Sequence, residues 1–304
     1  MFALACSPDG SLLASGGFDG DVRLWELQGE EGAQPETFMR LLAGHTNWVS
    51  GLAFAPDGRT LASASWDRTV KLWDVEAEGS LGARQTLTGH TDWVYRVAWS
   101  PDGRLLASCG PDRTIWLWDV EKSSYRAALH GHSAIVHDLA FTSESRLLSG
   151  SEDGTLRVWD VENGQCIRII QSYAVSLYDI AWSPDGTRLA SAGSDLLVTI
   201  WDGAGTTPSM LLVGHRINLS GVAWSPDSRL LASSGEDNAI RVWDASTGAS
   251  VQILQDLDHV NTLFFGVAWS PDGTRLACAS YQQGVHVWEV TTGTRRWEIG
   301  RAHV

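Results

Sequence analysis

The chain is poor in cysteine, in positive charge and in long apolar runs. Its 304 residues include four cysteines, Cys6, Cys109, Cys166 and Cys278. They lie far apart with no C-x-x-C pair, which argues against a disulfide framework or a zinc site and for the reducing cytoplasm. Lys plus Arg number 22 against 36 Asp plus Glu, a formal net charge of -14. That balance argues against nucleic acid, which needs a basic footprint to neutralise phosphates. It argues equally against an anionic membrane surface. No apolar run of about 18 residues occurs, so no membrane-spanning helix is expected. The opening MFALACSPDG has no basic segment ahead of an apolar one and reads as strand and turn rather than a signal peptide. Helical periodicity is missing throughout, and no glycine-rich phosphate loop interrupts the chain.

What the chain does have is tryptophan, 16 of them, and 31 glycines. Trp followed by Asp or Glu recurs at Trp25, Trp73, Trp118, Trp159, Trp201, Trp243 and Trp288, at intervals of 41 to 48 residues. A second marker precedes each indole: CSPDG at 6–10, APDG at 55–58, WSPDG at 99–103, 182–186 and 269–273, and WSPDS at 224–228. The fourth unit departs from it with FTSES at 141–145. Each unit decodes into short strands. YRVAWS alternates and is rich in β-formers. PDG is a turn, where Pro presets φ, Asp bonds locally and Gly accepts a positive φ. RLLASCG, IWLWDV and SYRAALHG supply three further strands, so four antiparallel strands repeat seven times.

In this pattern the sequence resembles the WD-repeat β-propellers, over nearly its whole length. Single WD dipeptides are weak evidence; seven in register with GH and SPDG are specific. The resemblance implies an all-β, seven-bladed propeller with four antiparallel strands per blade. Blades are expected at about 1–46, 47–91, 92–133, 134–173, 174–216, 217–257 and 258–298. Near-identical units such as VAWSPDG at 97–103 and 267–273 resemble repeat arrays of bacterial multidomain signalling ATPases or kinases. A longer polypeptide is therefore expected, with this propeller as a sensor or architectural module as the alternative reading. The tail IGRAHV is encoded by ATC GGA AGA GCA CAC GTC, a common sequencing-adapter read, so 299–304 is expected to be an artefact.

Serine, histidine and aspartate, the residue types of a hydrolase triad, recur within the units. They are His45, Ser63, Asp67 with Trp73; His90, Ser108, Asp112 with Trp118; His132, Ser149, Asp153 with Trp159; and His215, Ser233, Asp237 with Trp243. Each His precedes its Trp by 27 or 28 residues. Catalysis needs one constellation in one cleft, whereas four copies are what a repeated structural bond gives. Resemblance to the family implies a hydrogen-bonded tetrad, and a buried indole N–H needs such an acceptor. Ser65 shares the face of Ser63, which leaves the choice of serine open. Blade 1 has Ser15, Asp19 and Trp25 without the histidine, and blade 5 has Ser191, Asp195 and Trp201 with QSYA in place of GH. Blade 7 has Cys278 and Gln282 where Ser and Asp are expected, and Asp258 before His259. Blades 5 and 7 are expected to be the loosest. HGH at 130–132 with His137 is the only local histidine cluster, and His132 is already accounted for, so neither metal, cofactor nor enzyme activity is expected.

By resemblance, three positions per blade face the upper surface. One precedes the turn Asp: Phe18, Trp66, Pro111, Glu152, Ser194, Glu236 and Tyr281. The others follow the histidine: Trp48 and Ser50, Trp93 and Tyr95, Ile135 and His137, Ile217 and Leu219. Aromatics gather in blades 7, 1, 2 and 3. Phe18, Trp48, Trp66, Trp93, Tyr95 and Tyr281 are therefore the expected binding patch for a protein or peptide segment.

Overall fold

Alternating apolar strands joined by tight turns can only bury their two faces against other sheets, and the computed structural model is built that way. It describes residues 3–27, 38–76, 82–122, 124–142, 146–172, 174, 176–203, 207–256, 262–280 and 284–299. Tyr281, Gln282, Asp258, His259 and residues 300–304 lie outside the described residues, so the expectations placed on them do too.

All the regular structure among the described residues is β. It forms seven four-stranded antiparallel blades, each made of four consecutive strands. Two compact units result, Met1–Gln171 and Ser172–Val304.

The first unit holds four blades. Blade 1 runs Ala3–Cys6, Leu12–Gly16, Val22–Glu26 and Phe38–Leu42; blade 2 runs Val49–Phe54, Thr60–Ser65, Thr69–Asp74 and Gln85–Thr88. Blade 3 runs Arg96–Trp99, Leu105–Cys109, Ile115–Asp119 and Ser124–Leu129. Blade 4 runs Val136–Phe141, Arg146–Ser151, Thr155–Asp160 and Gln165–Gln171. The core lies between blades: Ala14, Val22 and Leu24 of blade 1 pack with Val49, Leu61 and Trp73 of blade 2. Polar stitches cross the same seams. The indole of Trp99 donates to the Ala53 carbonyl at 3.0 Å, and the Ser50 hydroxyl to the Val94 carbonyl at 2.6 Å.

The second unit holds three blades. Blade 5 is Leu177–Trp182, Arg188–Gly193, Leu197–Asp202 and Pro208–Val213. Blade 6 is Leu219–Trp224, Leu230–Gly235, Ala239–Asp244 and Ser250–Leu254. Blade 7 is Phe264–Trp269, Arg275–Ser280, Gly284–Glu289 and Thr294–Ile299. Trp224 and Trp269 repeat the stitch of Trp99, donating to the carbonyls of Ala181 and Ala223 at 3.0 Å each.

The SPDG turn explains its own conservation of pattern along the chain. In blade 3 the Ser100 hydroxyl donates to Asp102 at 2.6 Å and accepts from the Leu105 N–H at 2.9 Å. Gly103 closes the turn at φ +71°, a conformation that favours glycine.

Candidate functional site

Two sets of side chains stand out, one buried and repeated, the other at the surface and unrepeated.

In blade 2 the Trp73 indole donates to Ser63 Oγ at 2.8 Å. Ser63 Oγ also meets His45 Nε2 at 2.7 Å, and His45 Nδ1 meets Asp67 Oδ2 at 2.7 Å. One proton per link fixes the directions: the serine hydroxyl donates to Nε2, and the Nδ1–H donates to the carboxylate. Asp67 also accepts the N–H groups of Thr46 and Thr69 and the Thr69 hydroxyl. Ser65 takes a different part, donating to the Asn47 carbonyl and accepting the Asp67 N–H. Ser63, not Ser65, is thus the serine of the chain of bonds. The same links join Trp118, Ser108, His90 and Asp112 at 2.9, 2.8 and 2.7 Å. They join Trp159, Ser149, His132 and Asp153 at 2.8, 2.6 and 2.8 Å. In blade 6 they join Trp243, Ser233, His215 and Asp237 at 2.8, 2.8 and 2.9 Å. Every serine here is fully buried, so each hydroxyl is out of a substrate's reach.

The charges follow from burial. Burial lowers the pKa of His45 and His132 against the opposing bonds to Asp67 and Asp153. Both rings are therefore neutral in the fold. Burial alone would raise Asp67, Asp112, Asp153 and Asp237, but the hydrogen bonds they accept outweigh it. Their carboxyls are held below the ordinary range, Asp153 at about 2.

Acid should act in two stages. A histidine with a lowered folded pKa contributes stability that is complete above about 6.5 and is lost as pH falls toward the folded value. A carboxylate with a depressed folded pKa contributes stability that is complete above about 3.9 and is lost as pH falls through the folded value. The expected melting temperature is flat from pH 8 to 7, declines below about pH 6.5, and drops again below about pH 4. Circular-dichroism melts of the wild type and of His45→Gln check this. The variant should show a shallower first decline.

The incomplete blades are braced otherwise. In blade 1 Trp25 donates to Ser15 at 2.9 Å, and Asp19 pairs with Arg23 at 2.6 Å in place of a histidine. In blade 5 Trp201 donates to Ser191 at 2.9 Å, while burial raises the pKa of Asp195, which accepts the Leu197 N–H at 3.3 Å. In blade 7 buried Cys278 stands at the serine position, and its thiol is pushed well above the ordinary range by burial. There His286 pairs across from Cys278, stacks on Trp288 at 5.4 Å and meets Ser280 Oγ at 3.1 Å. Fully buried Asp256 lies 3.9 Å from His286 and accepts from Arg295 at 2.8 Å. Neither Arg23 nor His286 was singled out from the sequence. Both sit on the third strand at the register of Lys71, Arg157 and Arg241, which is where the signal lay.

The second set belongs wholly to the first unit. Phe18 meets Trp48 edge-on at 4.3 Å between centroids. Trp48 lies 4.3 Å from Trp66, and Trp66 stacks on Trp93 at 4.0 Å with only 8° between planes. Tyr95 lies 6.1 Å from Trp66 and 6.5 Å from Trp93, then stacks on His137 at 5.6 Å. His137 Nε2 meets Glu152 at 2.8 Å. Blades 1 to 4 thus contribute to one continuous aromatic row. Trp93 is its most open member, 38% exposed, while the others are half-buried. The indole N–H of Trp66 is buried with no hydrogen-bond acceptor among the described residues.

The loops beneath hold the rings in place. Trp66 N–H donates to the Trp48 carbonyl at 2.9 Å. Trp93 N–H donates to Asp92 Oδ1 at 2.8 Å. Gly110 lets the Trp93 carbonyl approach so closely that a Cβ there would lie 2.1 Å from its oxygen. Not every face position opens to solvent. Ser50 is buried on the Val94 carbonyl, and in the second unit Leu219 is buried while Ile217 is exposed. Among the described residues no group of three or more His, Cys, Asp or Glu is placed to hold a metal. No helix of the described residues is long and apolar enough to cross a membrane.

Seven four-stranded blades, six of them pinned by an indole of the third strand bonded to a serine of the second, define a β-propeller repeat protein. The family model for the WD domain, G-beta repeat, matches residues 2–26, 36–74, 83–119, 123–160, 164–202, 206–244 and 252–289. The chain belongs to the WD40 family. No curated protein matches it significantly. The family is a common protein-interaction module and is in general non-catalytic.

Proposed function

We propose that this chain is a non-enzymatic interaction scaffold that binds a peptide or protein segment on the aromatic row formed by Phe18, Trp48, Trp66, Trp93 and Tyr95. The observation that carries this reading is the row itself. Large aromatic side chains clustered at a surface are typical of recognition patches. They also vary from blade to blade, whereas the buried bonds repeat. The acidic balance of the chain favours a protein partner over nucleic acid or membrane, and its scattered cysteines suit a cytoplasmic setting. A propeller of this type works as the docking part of a longer polypeptide.

Selection of displayed twelve-residue peptides on the wild type tests it. Selected peptides should lose at least about tenfold in affinity on the Trp66→Ala/Trp93→Ala double variant, as expected of interface anchors. A cooperative melt of the variant shows that it is folded. Peptides that bind the double variant as well as the wild type would remove the row as the site.

A further inference from the structure

Beside the most exposed ring of the row, one carboxylate has no ion pair among the described residues. Most others nearby have a side-chain partner: Asp19 and Asp138 pair with Arg23 and Arg96, and Asp67, Asp112, Asp153 and Glu152 are hydrogen-bonded to His45, His90, His132 and His137. Asp92 is exposed, and among the described residues its only hydrogen bond is the Trp93 N–H. It therefore stands next to the most exposed ring of the row with charge to spare.

The surroundings of Trp93 restrict what can use it. One face of Trp93 is covered by Trp66 at 8°, and among the described residues no other ring lies parallel to it. Trp93 thus offers a flat ring, and its backbone N–H holds the Asp92 carboxylate at 2.8 Å. A quaternary ammonium is held best by rings standing on several sides, whereas Trp93 has only Trp66 and Tyr95 beside it among the described residues. An ammonium is a compact, strongly hydrated point charge and gains less from a flat ring. A guanidinium is planar, stacks on an indole and turns its edge N–H groups toward a carboxylate. The chain uses this chemistry internally: Arg188 lies over the Trp224 ring at 4.7 Å while donating to the carbonyls of Ala245 and Ser228. Burial and the charges of Glu152 and Asp92 raise the pKa of the Tyr95 hydroxyl.

We infer that Trp93 and Asp92 form a subsite for an arginine side chain presented by the bound segment. This rests on the reading of the row as the binding face and adds its selectivity. The competing cations are Arg68 and Arg113, both exposed in the turns of blades 2 and 3. Were they to dominate, an acidic side chain would be preferred, so the sign of the preferred charge decides the matter.

The probes are the N-acetyl amides of arginine, lysine, trimethyllysine, leucine and aspartate, titrated at millimolar concentration into the 15N-labelled full chain. Indole N–H resonances report the binding. The arginine compound should shift the Trp93 resonance and bind more tightly than the other four. Asp92→Asn should weaken it by about two- to fivefold, the range of an exposed ion pair, without weakening leucine. Several results would overturn the subsite: no Trp93 shift with arginine, tighter binding of any other probe, or no change in Asp92→Asn. If selected peptides still depend on Trp66 and Trp93 but lack arginine, the row stands and the arginine subsite falls. If no selected peptide depends on those indoles, both fall.

Discussion

Trp73→Ala should cost about 3–5 kcal/mol, the range for deleting a buried aromatic side chain. Trp73 is fully buried and lies in the seam between blades 1 and 2, among Val22, Leu24, Leu42, Val49 and Leu61. Its ring also comes edge-on to His45 at 6.0 Å and lies against Gly44. Alanine would open a cavity and leave Ser63 without its indole donor. Trp73→Phe separates the two effects. It keeps most of the packing and removes the N–H, so its cost should be about 0.5–1.5 kcal/mol, that of one hydrogen bond. Urea unfolding followed by circular dichroism measures both. Equal losses in the two variants would mean that the hydrogen bond, rather than the packed ring, dominates.

Gly110→Ala should destabilise the fold by about 1–3 kcal/mol, the usual cost of overpacking, and should also disturb the aromatic row. The added methyl would meet the Trp93 carbonyl oxygen at 2.1 Å and its carbon at 3.1 Å. These are backbone atoms, so relief requires the strand entrance carrying Trp93 to move. Movement there changes the 4.0 Å stack on Trp66. Gly82→Ala is the matched control, because nothing lies within 4 Å of a Cβ at that position. The expected outcome is a lower melting temperature and altered Trp93 indole resonance in Gly110→Ala only. An unchanged resonance would show that Trp93 can hold its place with its backbone displaced.

Much of the fold was legible because the repeat encodes it locally. Period-two apolar strands, turns with Pro-Asp-Gly and an indole at a fixed offset each specify one element, and their sevenfold recurrence removes ambiguity. The histidine, serine and aspartate of blades 2, 3, 4 and 6 were legible for the same reason. The choice between Ser63 and Ser65 was not, since both point to one face of the strand and only depth along it decides which meets the indole. The substitutes were harder. Arg23 replaces a histidine from a different strand, and His286 stacks beside Trp288 from the third strand, so neither falls at the motif position. Blade 7 in particular carries its own buried set where looseness was the expectation. The aromatic row was foreseeable as a list of residues but not as a stack. Ring planes depend on side-chain torsions, and those are set by loops such as the one Gly110 admits.

Each blade is formed by four consecutive strands, while from the second on each family match joins the fourth strand of one blade to the first three of the next. In genetic terms every sheet is a single uninterrupted cassette. Duplicating or deleting one blade-length segment in frame adds or removes a whole sheet with its ladder complete. Near-identical stretches such as VAWSPDG at 97–103 and 267–273 offer matched ends for that kind of recombination. A lineage carrying such a gene can therefore change the number and order of its surface loops by unequal crossing-over, without having to reinvent a fold.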